Sequence, residues 1–403
     1  MIWGCAGLPG AALLFFVVWG GSPIKIKNRE VYEMVKDKEK TEGKTENRAK
    51  RRGGRLKTAL LALLCFLIAV VFVMMPIFTI FIYEDNFGSR FETAEWMEYS
   101  VNDFDGLMLE ECSFPSNNGQ LLAGYKYSKD VEPTKGVAVL AHGFGGGGHN
   151  TYMDIADYFT SNGYLVFAYD CTGNDKSEGD SVEGLPQGVI DLDYALRYVK
   201  QLPEYKDLPI VLFGHSWGGY SVGSVLNSHP DVEAAVLVAG FDKSTDLFEQ
   251  QGESMIGGGI KLFMPYVSLY ERFKFGEYAD YSAVDGFNNT DADIMVIQSK
   301  DDATVLPENG YDKFFEVYAD DPRFTFLEYE DRGHSYIYYS QAAKSYREQL
   351  NEDYTAYVEE NGGEYNAEIK AEFMEKYLDK SKCYELDYEL MGRILELYDS
   401  CCE

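Results

Sequence analysis

Gly214-His215-Ser216-Trp217-Gly218-Gly219 lies between Pro209-Ile210-Val211-Leu212-Phe213, an apolar run of strand length, and Tyr220–Ser228, which reads as a helix. A glycine-x-serine-x-glycine turn between a buried strand and a helix must be tight, so the positions flanking the serine cannot carry bulk. Such a turn lifts the Ser216 hydroxyl above the sheet edge and aims a helix N-terminus at the same point. The pattern alone also arises by chance, as a glycine-rich turn without chemistry. The rest of the chain decides between the two.

A serine hydroxyl needs a base to act as a nucleophile, and the usual base is histidine. The chain has 5 histidines. His142 and His149 flank a glycine-rich loop, His215 sits beside the serine and points away from it, and His229 falls at a helix end. His334 remains, in Asp331-Arg332-Gly333-His334-Ser335 after the strand-like Phe324–Tyr329. In the chain order nucleophile, acid, histidine, it stands on the loop after the last strand.

The carboxylate that fixes the histidine tautomer should follow a strand between these two. Ile294–Ser299 is that strand, and it runs into Lys300-Asp301-Asp302-Ala303-Thr304-Val305. Asp302 is preferred, because Val305 follows at the spacing usual in this turn; Asp301 is then expected to cap the loop. The oxyanion of an acyl-transfer site needs two donors. The N–H of Trp217 is one. The other belongs to the loop after the strand Lys135–Ala141, in His142-Gly143-Phe144-Gly145-Gly146-Gly147-Gly148, where the Phe144 N–H is the candidate. This glycine run lacks the endings of phosphate-binding loops.

At these residues the chain resembles the serine-aminopeptidase-like, monoacylglycerol-lipase-like branch of the α/β-hydrolases. The resemblance is carried by His142-Gly143 and the glycines after it, by Asp170-Cys171-Thr172-Gly173-Asn174-Asp175-Lys176-Ser177-Glu178-Gly179, by Gly214–Gly219, by Asp302 and by Gly333-His334. It covers about residues 119 to 350. It implies a hydrolase but no particular substrate, since the branch includes lipases, esterases, thioesterases and peptidases. His142, Gly143 and Tyr336 are expected near the substrate. Tyr336, with Tyr338 and Tyr339, either walls the pocket or packs in the core.

Strand-like and helix-like runs alternate, which predicts an α/β fold with a mostly parallel sheet and helices on both faces. The predicted strands include Gln120–Tyr127, Tyr164–Tyr169 and Ala234–Ala239; helices are expected over Tyr152–Asn162 and Gln187–Leu202. The alternation pauses over residues 242–292, which hold Ile256, Ile260, Phe263, Met264, Tyr266, Leu269, Tyr270 and Phe273. Related hydrolases carry a lid there, and an apolar lid would line an acyl pocket. Residues 346–403 read as an acidic helical tail, in which Tyr388, Met391, Ile394 and Leu397 form one helix face.

Residues 59–83 are uncharged and apolar, long enough for a transmembrane helix. The basic run Arg48–Lys57 precedes them and Glu84-Asp85 follow, which puts the N-terminal side in the cytoplasm and residues 84–403 outside. The apolar run is long for a cleaved signal peptide. Residues 1–58 form an apolar segment and a basic leader. Either Met1–Ile24 is a second span, or translation starts at Met34, and the latter is preferred. Residues 25–57 carry 13 basic and 6 acidic side chains, net +7, whereas residues 84–403 carry 23 and 60, net −37. That acidity disfavours nucleic acid and polyanionic substrates. The cysteines outside the apolar run have no regular spacing, so no disulfide framework is expected. No metal-ligand motif is present, and no cofactor or metal is expected.

The expectation from sequence is a membrane-anchored serine hydrolase of carboxylic esters, with its catalytic domain outside the cell. A peptidase releasing N-terminal residues is the enzyme alternative, with Glu178 or Asp180 to hold a substrate amine. A non-catalytic surface-binding protein on the same fold is the alternative from another class.

Overall fold

A computed structural model describes residues 54–132 and 134–402. The readings made on residues 1–53, including the second span and the start at Met34, lie outside the described residues. Two compact units divide the chain between Ala69 and Val70.

The second unit is built on eight strands: β1 (Met108–Pro115), β2 (Leu121–Ser128), β3 (Gly136–Ala141), β4 (Tyr164–Tyr169), β5 (Ile210–His215), β6 (Ala234–Val238), β7 (Asp293–Ser299) and β8 (Phe324–Tyr329). Their order across the sheet is β1-β2-β4-β3-β5-β6-β7-β8. β2 runs antiparallel to both neighbours, and from β4 onward every pairing is parallel. This order is that of the α/β-hydrolase fold. The inner strands are near-continuous apolar runs because both faces are covered. Helices Leu185–Val199 and Trp217–Val225 pack on one face, with Val189, Leu192, Leu196 and Tyr220 buried. Helices Met153–Ser161 and Tyr388–Cys402 cover the other.

The last helix forms where the sequence reading expected one, and it packs on the sheet. Leu390, Met391, Ile394 and Tyr398 are buried against the sheet, and the Tyr398 hydroxyl donates to the Leu212 carbonyl of β5 at 2.7 Å. The buried stripe is rotated from the predicted face: Tyr388, counted on it, is 65% exposed. β1 was not foreseen. It is an edge strand with Phe114 as its one buried side chain, so its sequence lacks the apolar alternation that announces a strand.

Residues 242–292 form helices Ser244–Ile256, Met264–Phe275 and Ala283–Asn289, with 3₁₀ turns between them. Ile260, Val267 and Phe275 are buried, while Ile256, Leu269 and Phe273 point outward. The third helix belongs to the core: Gly286 lies so close to the elbow helix that a Cβ would meet the Gly223 carbonyl oxygen at 2.1 Å.

Among the described residues one helix, Gly54–Phe87, is long and apolar enough to cross a membrane. Its turns from Val70 to Met74 are π-helical, immediately before Pro76, which lacks the N–H that a regular helix would use. Within the second unit, Thr79, Tyr83 and Phe87 are buried, at the four-residue spacing of one helix face. The Tyr83 hydroxyl donates to Glu271 Oε1 at 3.0 Å, and Glu84 accepts from Tyr270 at 2.7 Å and Lys274 at 2.8 Å. The last turns of this helix therefore dock on residues 244–275.

Candidate active site

Ser216 ends β5 and caps the helix Trp217–Val225, with φ +57° and ψ −115°. This region is uncommon for a residue with a side chain and is held by the turn around it. The glycines of the motif have steric reasons. A Cβ on Gly214 would lie 2.2 Å from the Gly218 carbonyl oxygen, and one on Gly218 would lie 2.0 Å from that of Ala141. Both obstacles are backbone.

The structure brings Ser216, His334 and Asp302 into one chain of hydrogen bonds. His334 Nε2 is 2.8 Å from Ser216 Oγ, and its Nδ1 is 2.8 Å from Asp302 Oδ2. Asp302 is buried, and its Oδ1 accepts from the Thr304 and Val305 N–H groups at 2.9 Å each. Gln298 Nε2 donates to Asp302 Oδ2 at 3.2 Å and to the Val305 carbonyl at 3.0 Å. With these donors around the carboxylate, His334 carries its proton on Nδ1 and offers the Nε2 lone pair to the serine. Asp301 points elsewhere. Its Oδ1 accepts from Ser299 Oγ at 2.6 Å and from the Gly333 N–H at 2.8 Å, which ties down the loop beside His334 and holds its own carboxyl below the usual range against the opposing effect of burial.

The other four histidines are occupied. His229 bridges Asp193 and Lys200. His149 contacts Asp170 through ring and backbone at 2.9 and 2.8 Å. His215 does point away from the serine. Its Nε2–H donates to the His334 carbonyl at 3.0 Å and its Nδ1 accepts from the Tyr152 hydroxyl at 3.0 Å. Burial first, and then the neighbouring His334, push its pKa down to about 3, so it is a neutral brace.

The loop from His142 to His149 is the other half of the site. The Trp217 N–H opens a helix and has no partner in its own ladder, and no intramolecular acceptor for the Phe144 N–H is found among the described residues. The Phe144 ring packs edge-on to Trp217 with centroids 5.6 Å apart. His142, Gly143 and Tyr336, expected near substrate, make the following contacts within the protein. His142 is buried, its Nδ1–H on the Gly143 carbonyl at 2.8 Å and its Nε2 accepting the Cys171 N–H at 2.9 Å. The Gly143 N–H donates to the Tyr152 hydroxyl at 2.9 Å. Tyr336 stacks beneath the Arg347 guanidinium, 4.9 Å from its ring centre, among Tyr339 and Tyr384.

Asp170-x-x-Gly173-x-x-x-Ser177-x-Gly179 is scaffold. Asp170 accepts from the Tyr125 hydroxyl at 2.8 Å, besides the two His149 bonds. Burial would raise its pKa, but the His149 contacts outweigh that and keep it below the usual range. Cys171 is buried, as a small apolar side chain would be. Glu178 Oε2 accepts the Leu121 N–H at the start of β2 at 2.8 Å.

The fold and the elbow define an α/β-hydrolase domain. Residues 132–269 match the family model described as serine aminopeptidase, S33, a segment that includes Ser216 but ends before Asp302 and His334. Over that segment the chain is similar to the serine-aminopeptidase-like, monoacylglycerol-lipase-like branch, in line with the resemblance carried by the motifs. Among curated relatives, a caffeoylshikimate esterase of Arabidopsis thaliana is 34% identical over 116 residues, 28% of this chain and 35% of that protein. A monoacylglycerol lipase of Mycolicibacterium smegmatis is 28% identical over 130 residues, 32% of this chain and 46% of that protein. The matches thus span less than half the length of these relatives. A solved esterase of Pyrococcus furiosus aligns over 68% of this chain and 98% of its own, at 14% identity and a TM-score of 0.48.

Proposed function

We propose that the protein is a membrane-anchored serine hydrolase that cleaves carboxylic esters through an acyl-enzyme. The observation that carries this is the unbroken chain Asp302–His334–Ser216, at 2.8 Å for each link, ending on a serine held at a helix N-terminus. Ser216 Oγ attacks the ester carbonyl while His334 Nε2 takes its proton. Asp302 holds the imidazole and stabilises the imidazolium that forms. The N–H groups of Phe144 and Trp217 receive the oxyanion, where each donor is worth about 3–4 kcal/mol in systems of this type. His334 returns the proton to the leaving alkoxide, and water, activated by the same histidine, cleaves the acyl-enzyme. The names of the two curated relatives, an esterase and a lipase, favour esters over peptides.

Residues 242–292 fall where related hydrolases carry a lid, and Ile260, Val267 and Phe275 give them an apolar inner side. Residues 244–275 are the proposed lid. The helix from Gly54 is the proposed anchor: it is long and apolar enough to cross a hydrocarbon core of ~30 Å, and from Val71, whose carbonyl accepts from the Tyr266 hydroxyl at 2.9 Å, it also touches residues 244–275. The basic run before it puts the hydrolase outside the cell.

The full chain in detergent, assayed with p-nitrophenyl esters and aminoacyl anilides beside Ser216→Ala, tests the reaction class. Ester turnover that is lost in Ser216→Ala is expected. Turnover of anilides alone, or a Ser216→Ala variant that keeps its esterase activity, overturns it. Protease added to intact cells should degrade residues 84–403; protection until lysis contradicts the orientation.

A further inference from the structure

The segment that leaves the apolar helix, Phe87 to Thr93, lies outside the family match and belongs to no motif. It is nevertheless packed against the glycine loop that offers the Phe144 N–H. The Phe87 and Phe91 rings meet the Phe144 ring edge-on at 5.7 and 5.0 Å. A Cβ added to Gly145 would find Phe91 at 3.8 Å, and one added to Gly147 would fall 2.0 Å from Thr93 Oγ1. Two of the loop's glycines, with φ of +72° and +96°, thus lie directly on this segment.

Polar contacts fix the packing. Thr93 donates to Asp175 twice, from its N–H to Oδ1 at 2.5 Å and from its hydroxyl to Oδ2 at 2.6 Å. Asp175 Oδ2 also accepts the Gly148 N–H at 2.7 Å. Thr93, Asp175 and Gly148 are therefore one relay ending in the loop's own backbone. Arg90 stands behind it, its guanidinium donating to the carbonyls of Asp175, Ser177 and Gly179. Backbone bonds close the joint: Phe91 N–H to the Gly173 carbonyl and Asp175 N–H to the Phe91 carbonyl, both 3.0 Å, and Val182 N–H to the Ser89 carbonyl at 3.2 Å.

A loop carrying four successive glycines has little stiffness of its own, and an oxyanion donor misplaced by 1 Å loses much of its effect. We propose that Phe91, Thr93 and Asp175, with Arg90 holding the turn behind them, are positioning residues that set the Phe144 N–H. The juxtamembrane segment is then a working part of the catalytic unit as well as a connector. This rests on Phe144 being an oxyanion donor in the proposed reaction.

The test uses the full chain in detergent, with Thr93→Val, Thr93→Ser and Arg90→Gln. Each is measured for kcat and KM on a short p-nitrophenyl ester, for inhibition by a phenylboronic acid that mimics the tetrahedral state, and for thermal midpoint. Thr93→Val keeps the shape and removes the hydroxyl donor. Its kcat should fall about tenfold with KM within about twofold, and boronic acid affinity should fall in parallel. Thr93→Ser should restore both to within about threefold of the parent. Arg90 is exposed, so Arg90→Gln should fold, with a kcat loss of about three- to tenfold. Equal kcat in Thr93→Val and the parent, a change in KM alone, or no difference between Thr93→Ser and Thr93→Val overturns the proposal. If Thr93→Val does not fold, Arg90→Gln decides by the same split of kcat from KM. Esterase activity that survives Ser216→Ala would instead sink the reaction reading, so the two failures are told apart.

Discussion

Replacing Asp302 by asparagine changes one oxygen for an amide nitrogen, and the site constrains the outcome. Asp302 Oδ1 accepts two backbone N–H groups at 2.9 Å, while Oδ2 accepts from His334 at 2.8 Å and Gln298 at 3.2 Å. If the amide NH₂ faced Thr304 and Val305, it would oppose two fixed donors. Turned toward His334, it opposes only the Gln298 amide, which can rotate. The second orientation should win, and it places a donor at His334 Nδ1. The imidazole must then carry its proton on Nε2, where it cannot accept the Ser216 proton. The expected loss in kcat is about 10³–10⁴-fold, or ~4–5.5 kcal/mol of transition-state stabilisation. Asp301→Asn is the control. Its Oδ1 alone serves Ser299 and Gly333, and an amide oxygen can serve both, so activity should stay within about threefold. Initial rates on a p-nitrophenyl ester at pH 8 measure both. Asp302→Asn keeping a tenth of parental kcat, or Asp301→Asn falling as far, would refute the assignment.

Gly218→Ala should lower the thermal midpoint and abolish turnover together, because the new Cβ meets the Ala141 carbonyl, and overpacking against backbone costs at least about 1–3 kcal/mol; a stable, active Gly218→Ala would mean the elbow is looser than described. His215→Leu leaves the His334 carbonyl and the Tyr152 hydroxyl without their shared partner, an expected cost of about 1–3 kcal/mol in denaturant unfolding. Unchanged stability would remove His215 from its bracing role. Burial raises Glu271 from 4.5 to about 7, despite the hydroxyls of Ser244 and Tyr83 that favour its charge. The folded state then holds a proton that the unfolded state has lost between those values, so Glu271 should make stability decline as pH rises from about 4.5 to 7. The thermal midpoint of Glu271→Gln relative to the parent should therefore be higher at pH 8 than at pH 5; a constant difference would show that the carboxyl does not titrate there.

The parts of the site legible in the sequence were those set by backbone sterics and chain order. Gly214 and Gly218 announce a turn that excludes any Cβ, and the succession of strands leaves Asp302 and His334 on loops where a triad would need them. What stayed hidden depends on pairings between distant residues. Gln298, whose amide holds the Asp302 carboxylate, looks like any strand-end polar residue. Arg90 and Thr93 act on residues more than eighty positions away. The partners of the His142 and Tyr336 rings, the Cys171 N–H and the Arg347 guanidinium, lie in other segments of the chain and are likewise not announced by their neighbours. The docked end of the apolar helix shows as a single buried stripe, Thr79, Tyr83 and Phe87, at four-residue spacing.

Labelling of the full chain by a fluorophosphonate, followed by mapping of the modified residue, tests the central claim most directly. The probe needs an activated serine and marks it covalently. One modified residue, Ser216, is expected, with no labelling of Ser216→Ala, while the thermal midpoint stays within about 2–4 °C of the parent, since the hydroxyl makes one side-chain hydrogen bond, to His334, worth about 1 kcal/mol. Labelling at another serine, or labelling that persists in Ser216→Ala, would contradict it.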